Sequence, residues 1–81
     1  DVYKRQIVLR DEQQLQLAKA LDNLPADYRE VLVLRNLEEL SHDDIAARMG
    51  RSVGAVRMLW LRALAALREE FLRNATSTES A

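Results

Sequence analysis

Residues Leu40–Leu67, LSHDDIAARMGRSVGAVRMLWLRALAAL, decide how this 81-residue chain folds. Ser41 followed by Asp44 has the S-x-x-[DE] form of a capping box, in which the hydroxyl accepts from an orphan backbone N–H at a helix start. A helix is expected to begin there. Ile45, Ala46 and Met49 then recur at helical spacing, with Ala46 small enough for a second helix to approach closely. Gly50 follows as a left-handed C-cap, a conformation that costs other residues about 1 kcal/mol or more. Ser52 can cap the next helix, which opens at Val53. Two helices hinged on a glycine, the second long and apolar on one side, are a device for setting one helix in a DNA groove.

With residues placed at about 100° each, Val53, Val56, Trp60, Ala63, Leu64, Leu67 and Phe71 form one stripe on the second helix, the side expected to pack. The opposite side presents Gly54, Met58, Leu61, Arg62 and Ala65, with Arg57 on one flank and Ala55 and Leu59 on the other. A helix facing a groove needs cations for phosphate and guanine, and small or apolar groups for thymine methyls. Arg57, Arg62, Met58 and Leu61 supply that mixture sparsely. Met58, Leu59 and Leu61 lie off the stripe and are still apolar, so base contact, a partner surface and a wider buried face stay open for them.

Working outward, the length allows one domain, and 48% apolar with 31% charged residues is ordinary for a soluble globular fold. The core must be small. There is no cysteine, which leaves no disulfide or thiolate metal site and suits a cytoplasmic setting. No apolar run approaches 18 residues and no signal-peptide pattern is present, so no membrane association is expected. The chain begins with Asp1 rather than Met, which points to a fragment. Residues 1–50 hold 7 basic and 10 acidic residues, a balance of −3, whereas residues 51–81 hold 5 arginines and 3 glutamates, a balance of +2. A mildly cationic second half suits a DNA-reading helix whose grip is supplemented by a larger assembly.

Residues 1–10 have no clear period and are expected as a linker or a frayed start. The ordered domain is expected over 11–73. Asp11 can cap a first amphipathic helix reaching about Asn23, with Leu15, Ala18 and Leu21 inward and Leu17 beside them. Leu24-Pro25 punctuates the chain, since proline restricts the residue before it and suits a first helical turn. A second helix is expected from Ala26 to about Asn36, with Tyr28, Val31, Leu34 and Leu37 inward and Arg29, Glu30 and Arg35 outward. Residues 74–81 turn to Asn, Thr, Ser, Glu and Ala and are expected as a disordered tail.

Chemistry is hard to find. His42 beside Asp43 and Asp44 has no second ligand at i+4 and reads as a solvated residue near a helix start. Ser41 has no positioned base, and capping explains it. Glu38, Glu39, Asp43 and Asp44 form an acidic group favoured at a helix N-terminus by the macrodipole. Trp60 falls on the packing stripe and reads as core rather than as a platform for single strands. No base, nucleophile and oxyanion donors converge, so neither an enzyme, a cofactor nor a small-molecule substrate is expected.

Leu24-Pro25, Tyr28-Arg29-Glu30-Val31-Leu32, Leu34-Arg35, Leu40-Ser41, Asp44-Ile45-Ala46, Gly50, Ser52, Gly54, Val56-Arg57, Arg62-Ala63 and Leu67 together resemble region 4 of bacterial sigma factors, of the extracytoplasmic-function group. The likeness covers roughly residues 13–72. It implies an all-α fold, a small four-helix domain containing a helix-turn-helix of the winged-helix-like class. It implies sequence-specific binding of double-stranded promoter DNA at the minus-35 element, docking on the beta-subunit flap of RNA polymerase core, and a role in transcription initiation. It gives Arg57, Met58, Leu61 and Arg62 base-facing or backbone-facing positions, and makes Arg35, Ser41, Arg51 and Ser52 candidates for DNA contact. Backbone N–H groups after Ser41 could add to a phosphate site. No cofactor is implied, because polymerase performs the chemistry.

The chain departs from the family pattern at Met58-Leu59, where a Ser-Arg pair is usual, and at Leu64 and Ala65, where further cations are common. Each lost phosphate contact flattens the salt dependence of binding by about one unit of log–log slope. Two other readings stay open beside promoter binding. One is the output domain of a response regulator, whose last helices often dimerise. The other is a protein-interaction module that binds a regulator such as an anti-sigma factor. Residues preceding Asp1 would separate the sigma reading, which expects a second helical domain there, from the response regulator, and alanine at Arg57 and Arg62 would separate promoter binding from regulator binding.

Overall fold

The computed structural model describes the backbone of residues 12–80 and the side chains of residues 15–73. The expected linker over 1–10 and the cap at Asp11 lie outside the described residues. Within them stand four α-helices and no strand, hence no β-wing: α1 (Glu12–Asp22), α2 (Ala26–Leu32), α3 (His42–Met49) and α4 (Val53–Ser80). No helix among the described residues is long and apolar enough to cross a membrane.

In α1 the buried positions are Ala18, Ala20 and Leu21, with Leu17 packed beside them. Leu15, expected inward, is exposed at 43%. At about 100° per residue Leu15 stands roughly 120° from Leu21, whereas Leu17 and Leu21 lie one turn apart on the same side. Leu24 is buried in the turn that follows, and its N–H bonds Leu21 O at 3.2 Å. Pro25 sits at the N-cap of α2 with extended backbone (φ −54°, ψ 151°), and its carbonyl accepts from Arg29 N at 3.0 Å.

α2 is the centre of the domain. Val31, Leu32, Val33 and Leu34 are buried in succession, as a helix must be when it is covered on more than one side. It does not continue as a regular α-helix to Asn36. Residues Val33–Leu37 form a π-turn, in which Glu38 N bonds Val33 O at 2.9 Å, five residues back. Glu39 then adopts a left-handed conformation (φ 58°), and Leu40 N bonds Leu34 O at 2.9 Å. That closure is a Schellman-type end, one residue wider because the turn itself is widened.

α3 and the turn after it follow the sequence closely. Ser41 Oγ accepts from Asp44 N at 3.1 Å. Ile45 and Ala46 are buried. Gly50 closes the helix at φ 67°, ψ 36°, and Arg51 N bonds Ala46 O at 3.0 Å. Ser52 Oγ accepts from Ala55 N at 3.1 Å to start α4.

α4 packs against all three other helices. Its fully buried positions are Val56 and Ala63, with Leu59 and Glu70 nearly so. The buried stripe is therefore rotated from the expected one by roughly 60°, away from Trp60 and Leu64 and toward Leu59. Leu59 belongs to the core and not to the flank of the outward face. Glu70 falls on the same rotated stripe, and its carboxylate accepts from Arg73 Nη1 at 2.7 Å and from Asn23 Nδ2 at 3.5 Å, which ties α4 to the end of α1. Buried carboxylates persist only with such donors. The backbone of α4 continues through residues 74–80, where a disordered tail was expected. Asn, Thr and Ser each cost a helix only some tenths of a kcal/mol relative to Ala, roughly 0.7 at most, and extending an existing helix needs no new nucleus.

Candidate nucleic-acid interface

Because Val56, Leu59 and Ala63 are held inside, the opposite side of α4 is fixed toward solvent. Its middle line runs Gly54, Met58, Leu61, Ala65, with Met58 52% and Leu61 54% exposed. Arg57 and Arg68 stand on one flank of this ridge and Arg62 on the other, all three exposed. Among the described residues none of these arginines is held by an ion pair or side-chain hydrogen bond. Residues 53–68 contain no acidic residue. Arg68 was not singled out from the sequence, although it lies three turns after Arg57 and the same periodicity places it there.

A polar brace on the other side holds α4 against the start of the helix-turn-helix. Trp60 is half-buried at the rim of the core, and its Nε1 donates to Asn36 Oδ1 at 3.0 Å. The His42 ring meets the indole edge-on, with centroids 5.5 Å apart. The Arg35 guanidinium lies 5.8 Å from the indole centroid, and its Nη1 donates to Leu40 O at 3.1 Å. Arg35 thus does not look outward as expected. It holds the carbonyl that follows the strained Glu39. His42, expected as a solvated residue, is half-buried with its ring against the indole.

The remaining candidates sit around the two turns. Ser41 and Ser52 are exposed, and each hydroxyl is engaged in capping. Arg51 is paired with Asp27 at 3.7 Å, both side chains 43% exposed, an arrangement that contributes about 0–1 kcal/mol and yields readily to a stronger anion. The structure therefore brings Arg57, Met58, Leu61 and Arg62 onto one face, sets Ser41, Arg51 and Ser52 at the turns, and withdraws Arg35.

The family model for sigma-70, region 4, matches residues 14–67, the stretch that holds this helix-turn-helix and the helices supporting it. The chain belongs to the sigma-70 region 4 family. A relative in Mycobacterium tuberculosis, named ECF RNA polymerase sigma factor SigD, is 35% identical over 72 residues, covering 89% of this chain and 34% of its own. The RNA polymerase sigma-H factor of Pseudomonas aeruginosa is 42% identical over 60 residues, 74% of this chain and 31% of its own. The RNA polymerase sigma-E factor of Streptomyces coelicolor is 43% identical over 56 residues, 69% and 32% respectively. The chain spans about a third of the length of these curated relatives. As a region 4 domain, it presents the outward ridge of α4 with Arg57, Arg62 and Arg68 on its flanks.

Proposed function

We propose that this domain gives an extracytoplasmic-function sigma factor its grip on double-stranded promoter DNA at the minus-35 element during transcription initiation in the cytoplasm. The observation that carries the reading is the outward ridge of α4 over residues 53–68, which holds no acid before Glu69 and is flanked by unpaired Arg57, Arg62 and Arg68. Cations on two flanks can neutralise the two strands bordering a major groove while the ridge meets base edges.

The second half of the role is docking on RNA polymerase core, with the beta-subunit flap as the partner. Leu17, Leu21, Leu32, Asn36, Leu37 and Leu67 line an apolar cavity of about 190 Å³. Leu67 lies roughly 150° around α4 from the ridge, so a protein seated there leaves the DNA side open. An apolar cavity with one amide at its rim suits an apolar segment of a protein partner. An anti-sigma factor would act by covering either surface. The role involves no catalysis by this chain, no cofactor, no small-molecule substrate and no membrane.

The test is promoter-directed transcription with core polymerase and the protein carrying Arg57→Ala and Arg62→Ala. Transcription should fall about tenfold or more while binding to core polymerase persists. Unchanged transcription with both arginines removed would overturn the reading.

A further inference from the structure

Between its flanking arginines, the ridge of α4 carries Gly54, Met58, Leu61 and Ala65. None of these has a side-chain donor, and the methionine thioether is only a weak acceptor. Each base pair shows the major groove hydrogen-bonding groups, and thymine alone adds an apolar one, its 5-methyl. Setting Met58 and Leu61 against guanine, adenine or cytosine edges would strip water from polar atoms and return no partner. Against thymine methyls the same side chains bury apolar surface.

We propose that Met58 and Leu61 select thymines in neighbouring base pairs of the promoter element by contact with their 5-methyl groups; this rests on the promoter-binding role above. Met58 and Leu61 are three residues apart, about 4.5 Å along the helix axis, near the roughly 3.4 Å step between base pairs. The small residues at either end allow close approach. No atom lies within 4 Å of where a Cβ on Gly54 would stand, so packing does not demand a glycine there. The occupant is DNA rather than a protein because residues 53–68 bear three exposed arginines and no acid.

The experiment uses polymerase holoenzyme reconstituted with the whole protein, on duplexes selected from a library randomised across the upstream element. Thymines of the selected element are then replaced one at a time by uracil, which removes only the methyl. We expect selected thymines in adjacent pairs, and binding about fourfold weaker per methyl removed. Met58→Ala and Leu61→Ala should each bind one thymine and its uracil counterpart alike. Both positions are exposed, so the fold should survive, which helix content by circular dichroism checks.

Tight binding to a selected element that is indifferent to uracil would overturn the methyl proposal and leave the promoter role intact. Variants that keep DNA affinity and lose polymerase or regulator binding would overturn it in favour of a protein surface. Failure to select any upstream element would sink the promoter role itself.

Discussion

Trp60 Nε1 donates to Asn36 Oδ1 at 3.0 Å across 24 residues of chain, joining the recognition helix α4 to the π-turn that ends α2. The bond adds a polar tie to the packing of Val56, Leu59 and Ala63, which sets how α4 is rotated about its own axis. That rotation decides which side chains meet a duplex. Asn36→Ala removes the acceptor, while the better helix propensity of alanine, roughly 0.7 kcal/mol at most, offsets part of the loss. Stability should change by less than about 1 kcal/mol. Emission of Trp60, the single tryptophan of the chain, should move to longer wavelength and become more open to acrylamide quenching. An unmoved spectrum would show that the bond does not hold the ring.

The two glycines should respond in opposite directions. Gly50 has φ 67°, so Gly50→Ala places a Cβ in the left-handed region and should destabilise the domain by about 1–2 kcal/mol even though the surrounding space is open. Gly54 has open space and no positive φ, so Gly54→Ala should raise stability, by up to about 1 kcal/mol. It should also weaken promoter binding, because the new methyl stands on the ridge. Urea denaturation and DNA binding, measured on both variants, check the pair.

Glu39 holds a left-handed conformation that glycine adopts freely. Glu39→Gly should therefore stabilise the domain, by about 1 kcal/mol. Thermal denaturation would show this as a rise of roughly 4–8 °C for a domain of this size. A fall would mean that the carboxylate contributes more than the strain.

Ser41→Ala and Ser52→Ala each remove a hydroxyl that accepts from a helix N-terminal N–H. Each should lower stability by about 1 kcal/mol. If either serine also contacts a phosphate, its alanine variant will lower the salt slope of DNA binding by about one. Measuring stability and salt slope together separates capping from contact.

Much of this was legible in the chain itself. Ser41, Gly50 and Ser52 announce their roles because caps and left-handed turns accept few residue types. The stripe of α4 was harder, because apolar residues occupy far more than half its circumference and periodicity alone cannot centre them. Trp60 and Leu64 drew the expected stripe toward themselves, while Leu59, Ala63 and Glu70 mark its true middle. The π-turn was illegible, since Val33–Leu37 would suit an α-helix equally well. Its consequence, Arg35 turned onto Trp60 and Leu40, could not be anticipated from spacing.

Because the chain has no cysteine, single thiols can map the face that meets DNA. Met58→Cys, Leu61→Cys and Ala65→Cys place them on the ridge, and Lys19→Cys and Glu30→Cys place them at exposed positions on α1 and α2. Alkylation rates in the holoenzyme, with and without promoter DNA, give the answer. DNA should slow modification at 58, 61 and 65 and leave 19 and 30 unchanged. Equal rates on the ridge with and without DNA, or protection confined to 19 and 30, would contradict the orientation of α4 on which the promoter role rests.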